Sequence, residues 1–313
     1  MIRIFKTESG VMHEKKEMQP GSWISMTDPT ASEIMEIADA YQIDPDHLKA
    51  PLDEEERSRI EIEEDYTLIL VDIPSVEERN GKDWFVTLPM GIITAKDVMI
   101  TVCLEENPVL TSFMNGRVRD FHTFMKTRFI LQILYKNATQ YLQYLRVIER
   151  KSAAIENKLH KSQKNEELIE LLELEKSLLY FSTSLRSNEV VLEKLLRTEK
   201  VKKYPEDTDL LEDVIIENKQ AIEMTSIYSG ILNGTMDAFA SVISNNLNIV
   251  MKFLATVTIV MSIPTMVASF YGMNVNTRGM PFANHPYGFE IVLVLAFLLS
   301  LVVAYIFNKK DLF

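Results

Sequence analysis

Steps of four and three residues from Asp237 pick out Asp237, Ser241, Ser244, Asn248, Met251, Ala255, Thr258, Ser262, Thr265 and Ser269, nearly all small or polar. The residues between them from 253 onward are mostly large and apolar: Phe253, Leu254, Val257, Ile259, Val260, Met261, Ile263, Met266 and Val267. On a helix this spacing gathers hydroxyls and carboxamides into one narrow stripe, which drifts about 20° per heptad unless the helices wind about each other. Two chemistries fit such a stripe. Small side chains let helices in lipid approach closely. Alternatively, several copies turn their stripes to a shared axis and line a wet conduit. The spacing alone leaves both open, and the conduit requires an oligomer.

The stripe runs into Tyr271-Gly272-Met273-Asn274. Gly272 tolerates close backbone approach and positive φ, and Asn274 offers a neutral carboxamide oxygen. Repeated around a ring, these groups form a crown of uncharged oxygens. Such a crown suits a hard cation that keeps its water: Mg²⁺ dehydrates reluctantly, and neutral oxygens can hold the hydrated ion without trapping it.

These residues sit between two apolar runs. Phe253–Tyr271 has 19 uncharged residues and Ile291–Phe307 has 17, against the roughly 17–25 that a span needs. Two such runs joined by a short loop are expected to be transmembrane helices in contact with lipid. Lys252 precedes the first, and Lys309 and Lys310 follow the second, while the connecting segment carries Arg278 and, at its edge, Glu290. Positive charge sets orientation, so both termini are expected in the cytoplasm of a multi-pass cell-membrane protein, with Val275–Pro286 outside.

The charge lies elsewhere. The chain has 313 residues, 25% of them charged, with a net charge of −12, and almost all of that charge precedes residue 220. An acidic chain is a poor nucleic-acid partner. The N-terminal "MIRIFKTESG" lacks a signal pattern. The lone Cys103 excludes an internal disulfide framework, suits a reducing compartment and reads as a core residue.

Five segments are expected. Residues 1–120 form a cytosolic α/β domain: "RIEIEE", "YTLILVDIP", "WFVTLPMGIIT" and "VMITVCL" have strand composition. "NGK" at 80–82 is a hairpin turn, and Asp28-Pro29 and Asp44-Pro45 start helices. Residues 121–205 form a helical hairpin of arms, Phe121–Gln163 and Glu166–Lys203, broken by "YPED" at 204–207. A stalk helix over 206–271, about 100 Å at 1.5 Å per residue, continues into the first span. Residues 272–290 are the outer loop, and 291–313 the second span and a short cytosolic tail.

With these features assembled, the chain resembles the CorA family of divalent-cation channels. The hallmark Tyr-Gly-Met-Asn is matched at Tyr271–Asn274, where the first of two C-terminal spans ends. "PLDEEERSRIEIEEDYTLILVDIP" is similar to the family's N-terminal stretch, and Pro264 stands where its pore helix carries a proline. The resemblance implies a funnel-shaped homopentamer. Asn274 and Gly272 would form the selectivity ring, and Thr265, Ser262, Thr258, Met251, Asn248 and Asp237 would line the conduit. Mg²⁺ would be both cargo and regulator, with Co²⁺ or Ni²⁺ as further substrates. Asp213 falls where the family's sensing aspartate is expected. Asp83, Glu77 and Glu78 are candidate partners for it. Two departures stand out: the outer loop "VNTRGMPFANHPY" has no acids, and the C-terminal basic cluster is thin.

No nucleotide loop or nucleophile motif is present, so the protein is not expected to be an enzyme, and transport is expected to run passively on the membrane potential. His13, His47, His122, His160 and His285 are dispersed in sequence, so no dedicated zinc site is expected, and the acidic run Asp53–Asp65 reads as a solvated face, with divalent-cation binding as its alternative. The rivals are a zinc transporter of the same superfamily and a membrane-anchored helical scaffold or sensor that conducts nothing.

Overall fold

The computed structural model describes residues 1–79, 81–162, 165–198, 205–274, 276 and 279–310. By contacts the chain divides into Met1–Met236 and Asp237–Phe313.

The first unit is built on a seven-stranded sheet. Its strands are β1 (Ile2–Glu8), β2 (Val11–Lys15), β3 (Trp23–Thr27), β4 (Arg59–Ile62), β5 (Tyr66–Arg79), β6 (Lys82–Ala95) and β7 (Val98–Cys103), in the spatial order β2-β1-β3-β7-β6-β5-β4. All neighbours are antiparallel except β3 and β7. Helices α1 (Ala31–Tyr41), α2 (Pro45–Lys49), α3 (Pro108–Met114), α4 (Lys126–Ser162) and α5 (Asn165–Arg197) complete it, together with the first part of α6 (Pro205–Tyr271).

Strand period two divides the core. Leu68 and Leu70 of β5, with Ile24, Met26 and Ile100, join Ile34, Ile37 and Leu48 of α1 and α2. Ile69, Val71 and Ile73, one residue out of phase, join Phe113, Phe129, Val191, Leu211 and Val214 from α3 to α6. A sheet covered on both faces must be apolar at consecutive positions, hence the unbroken buried runs Leu68–Val71 and Val98–Cys103. Trp23 centres the second cluster, its ring 5.0 Å from Phe5 and 5.1 Å from Phe129, with its indole N–H donating to Thr101 at 2.9 Å. Gly91 is required where β6 passes Pro51, since a Cβ there would lie 2.4 Å from the proline ring.

Two carboxamides, from Asn188 and Asn137, tie the sheet to the helices at Asp72. β4 ends opposite Leu70, so the Asp72 backbone has no strand beyond it on that side. Asn188 of α5 takes the strand's place: its Nδ2 donates to the Asp72 carbonyl at 2.8 Å, and its Oδ1 accepts the Asp72 N–H at 2.9 Å. Asn137 and Tyr141 of α4 donate to the same carbonyl. Because Asp72 turns both backbone groups toward Asn188, it asks no hydrogen bond of its register partner Pro89, which has no N–H. Pro74 has the same parity, so its missing N–H is not one that β6 would use. Asn188→Leu leaves the Asp72 N–H without a partner, while the carbonyl keeps Asn137 and Tyr141, and is expected to cost about 1–3 kcal/mol. Both tryptophans, Trp23 and Trp84, lie in this unit, so the fluorescence-detected thermal midpoint of the full chain should fall. An unchanged midpoint would contradict the tie.

The sequence expectations need several corrections. Helix α1 is capped by Thr30 in a full capping box with Glu33, not by Asp28, which has a positive φ of 42°. Asp44 does cap α2. The arms are shorter at their outer ends than the expected segments: α4 begins at Lys126 and α5 ends at Arg197. Strands β1 to β3 and helix α3 were not foreseen. At the β5–β6 reversal Gly81 has a φ of +73°, while Asn80 of the expected turn lies outside the described residues, as do Tyr204 of "YPED" and the centre of the turn between the arms.

In the second unit the rest of α6 is followed by α7 (Gly288–Lys309). Both helices are long and apolar enough to cross a membrane, and their apolar windows are almost wholly uncovered within the chain. A soluble core helix would be buried, so burial within one chain does not account for these runs.

Candidate functional site

Every stripe position, from Asp237 to Ser269, is exposed, and so are Gly272 and Asn274. The covered or half-covered positions of the same stretch, Phe239, Ile243, Asn246, Thr256, Val257, Val260, Ile263, Pro264 and Val267, recur on another face. An open apolar groove lined by Pro264, Val267 and Ala268 of α6 and by Val292, Ala296 and Phe297 of α7 adjoins that face. The stripe thus lies away from the face that α7 adjoins, and its own chain leaves it open, as it does Phe253, Leu254, Ile259, Met261 and Met266.

Its hydroxyls are oriented. Thr258 donates to Leu254 at 2.7 Å, Ser262 to Thr258 at 2.7 Å, Thr265 to Met261 at 3.2 Å and Ser269 to Thr265 at 2.8 Å, each to the carbonyl four residues back. Ser241 does the same toward Asp237. With the proton spent on the backbone, each oxygen presents only lone pairs outward. Water around a cation points its hydrogens outward, so a column of acceptors is what a hydrated cation can use. Pro264 lies within the helix and has no N–H, so the Val260 carbonyl lacks its helical donor.

At the seam the Gly272 N–H still bonds to the Ala268 carbonyl at 2.9 Å. Gly272 is not in the positive-φ region, contrary to the freedom expected of it. What it provides is space, since a Cβ there would sit 3.3 Å from that carbonyl. Tyr271, singled out only as part of a motif, has a positioning role that spacing could not reveal. Its hydroxyl donates to the Pro281 carbonyl at 2.6 Å and fastens the loop back to the end of the helix. Val275, Thr277 and Arg278 of that loop lie outside the described residues.

Asp213 is far from these residues in sequence and belongs to the first unit. It is exposed on α6, one turn before Glu217, and faces α4: burial, with these two carboxylates behind it, pushes the Tyr135 hydroxyl up. Its candidate partners differ. Asp83 is held by Lys151 at 2.7 Å, and Glu77 pairs with Arg79, while no ion pair holds Glu78 among the described residues.

The architecture is therefore that of a two-span membrane protein with an α/β unit on a long helix, whose first span has an open, acceptor-lined face. The model of the CorA-like Mg²⁺ transporter proteins matches residues 19–310, and the chain belongs to that family. It is 28% identical to the cobalt/magnesium transport protein CorA of Methanocaldococcus jannaschii, over 92% of this chain and 90% of the relative. With the Thermotoga maritima protein of the same name it shares 21% identity, over 92% of this chain and 82% of the relative. The complete structure of the M. jannaschii CorA magnesium transporter superposes with a TM-score of 0.86 at 26% identity, covering 99% of this chain and 98% of that one. The cytoplasmic domain of ZntB from Vibrio parahaemolyticus, with a TM-score of 0.60, 11% identity and 79% of this chain and 97% of that one covered, shows the fold alone.

Proposed function

We propose that the chain is one subunit of a homopentameric Mg²⁺ channel, with Co²⁺ or Ni²⁺ as further substrates, in the cell membrane with both termini in the cytoplasm. The supporting observation is the open stripe of hydroxyl acceptors on α6, which ends at Ser269, five residues before Asn274. Close helix packing in lipid uses the same small side chains, and membership of a Mg²⁺ transporter family favours the conduit over a scaffold. Likeness to a zinc-transporter domain at the level of fold gives the zinc alternative less support than the family membership gives Mg²⁺.

In this reading five copies of α6 turn their stripes inward. Asn274 and Gly272 hold the hydrated ion at the outer mouth. Thr265, Ser262, Thr258, Met251, Asn248 and Asp237 line the way down. No nucleotide is consumed: a potential of about 100 mV gives roughly 2.3 kcal/mol per charge, about twice that for a divalent ion. Asp213 serves regulation. Within one chain it belongs to no cluster of ligand groups among the described residues, so its Mg²⁺ would be shared with a neighbouring copy. Native mass spectrometry from mild detergent should give a pentamer. A monomer or dimer in lipid-like conditions would overturn the conduit.

A further inference from the structure

The dispersed histidines gave no sign of a metal site, yet the fold brings one of them to the acidic run. Glu61 and Glu63 are two residues apart at the end of edge strand β4, and His47 reaches them from α2. One ligand atom of each lies within 4.8 Å of the others. His47 Nε2 stands 3.2 Å from Glu61 Oε2.

The two inner ligands are held from behind. His47 Nδ1 is 2.7 Å from the hydroxyl of buried Tyr66, which also accepts the Asp44 N–H at 3.2 Å. Glu61 directs its other oxygen, Oε1, to the Arg59 guanidinium, itself bonded to Glu56. That contact holds the Glu61 carboxyl below the usual carboxylate range. An imidazole fixed through its far nitrogen and a carboxylate fixed through its far oxygen are the outer-shell supports that metal ligands require. Together Glu61, Glu63 and Glu56 outweigh Arg59 by two negative charges.

We propose that His47, Glu61 and Glu63 form a divalent-metal site on the α/β unit, separate from the conduit, that takes Co²⁺, Ni²⁺ or Zn²⁺ in preference to Mg²⁺. Nε2 supplies the nitrogen, with the ring proton on Nδ1 donated to Tyr66. The two carboxylates supply oxygens, and water completes the shell. The preference follows from ligand type: imidazole suits these ions, whereas Mg²⁺ favours an all-oxygen octahedron. The site would let the cytosolic unit distinguish a cobalt-class ion from Mg²⁺, which an oxygen-only crown does poorly.

The test uses the full chain in detergent, stripped of metal and then held in excess Mg²⁺ to fill oxygen-only sites. Co²⁺ is titrated by calorimetry and by its visible d–d absorption. The wild type should bind one Co²⁺ per chain that Mg²⁺ does not displace, and His47→Gln should lose it. Glu63 is exposed, so Glu63→Gln leaves the fold intact and decides the matter should His47→Gln fail to fold. It should weaken Co²⁺ binding by at least about tenfold, the range that loss of even an outer-shell partner produces. Unchanged Co²⁺ stoichiometry and spectrum in Glu63→Gln, or displacement of the ion by Mg²⁺, would overturn the site.

Discussion

Replacing Asn274 with alanine is expected to abolish selective Mg²⁺ uptake while the protein still assembles. The carboxamide lies five residues beyond Ser269, the last hydroxyl of the stripe, and is exposed past the end of α6. Alanine leaves no side-chain oxygen for the water shell of the ion. A hydrogen bond to a charged partner contributes about 1.5–3 kcal/mol, and each 1.4 kcal/mol is a factor of about ten in affinity. Losing the contact in every copy should therefore lower Mg²⁺ occupancy at the mouth by well over tenfold. Size-exclusion profiles should match the wild type, since Asn274 has no packing role within the chain. Wild-type flux with unchanged discrimination against monovalent ions would remove Asn274 from the filter.

The second large effect is expected at Asp213, which precedes Asn274 by 61 positions. In the proposed regulation, carboxylates of neighbouring copies repel one another, and Mg²⁺ between them relieves the repulsion. High cytosolic Mg²⁺ then holds the subunits together, and low Mg²⁺ lets them part. Asp213→Lys puts a fixed positive charge where the ion would sit. Flux and protease resistance should lose their dependence on Mg²⁺, whichever state the lysine favours. Because Asp213 is exposed on α6, the substitution should not unfold the chain. If both readouts keep the wild-type Mg²⁺ response, Asp213 is a solvated surface acid and regulation lies elsewhere.

Much of the architecture could be read from periodicity. The long helix was expected over 206–271 and runs from Pro205 to Tyr271, because only Gly230, Gly234 and Pro264 between them weaken a helical pattern. The strands with β-branched runs, β4 to β7, were equally plain. β1 to β3 were not: the hairpin partner of β1, "VMHEK", is mostly polar and exposed, and β3 pairs with β7, some 75 residues later. The Thr30 cap was missed because Asp28-Pro29 carries the commoner start signal two residues earlier, and only Glu33 three residues after Thr30 marks the real one.

At the site, the stripe was legible because its spacing matches one face of a helix. The direction of its hydroxyls was not, since a serine in a sequence does not say where its proton goes. The fastening of Tyr271 to Pro281 depends on a loop conformation that spacing does not encode. The approach of His47 to Glu61 and Glu63 was hidden for a related reason. Fourteen residues separate His47 from Glu61, and only the return of the chain through β4 beside α2 brings them together.

Ion flux into liposomes is the most direct test of the proposed conduit. The purified full-length chain is reconstituted into lipid vesicles with a magnesium-sensitive dye inside, and a potassium diffusion potential makes the interior negative. Mg²⁺ should enter the vesicles without nucleotide, faster as the potential grows, and Asn274→Ala vesicles should match protein-free ones. Vesicles holding correctly assembled wild-type protein that admit no more Mg²⁺ than protein-free vesicles, at any potential and at low internal Mg²⁺, would contradict the channel.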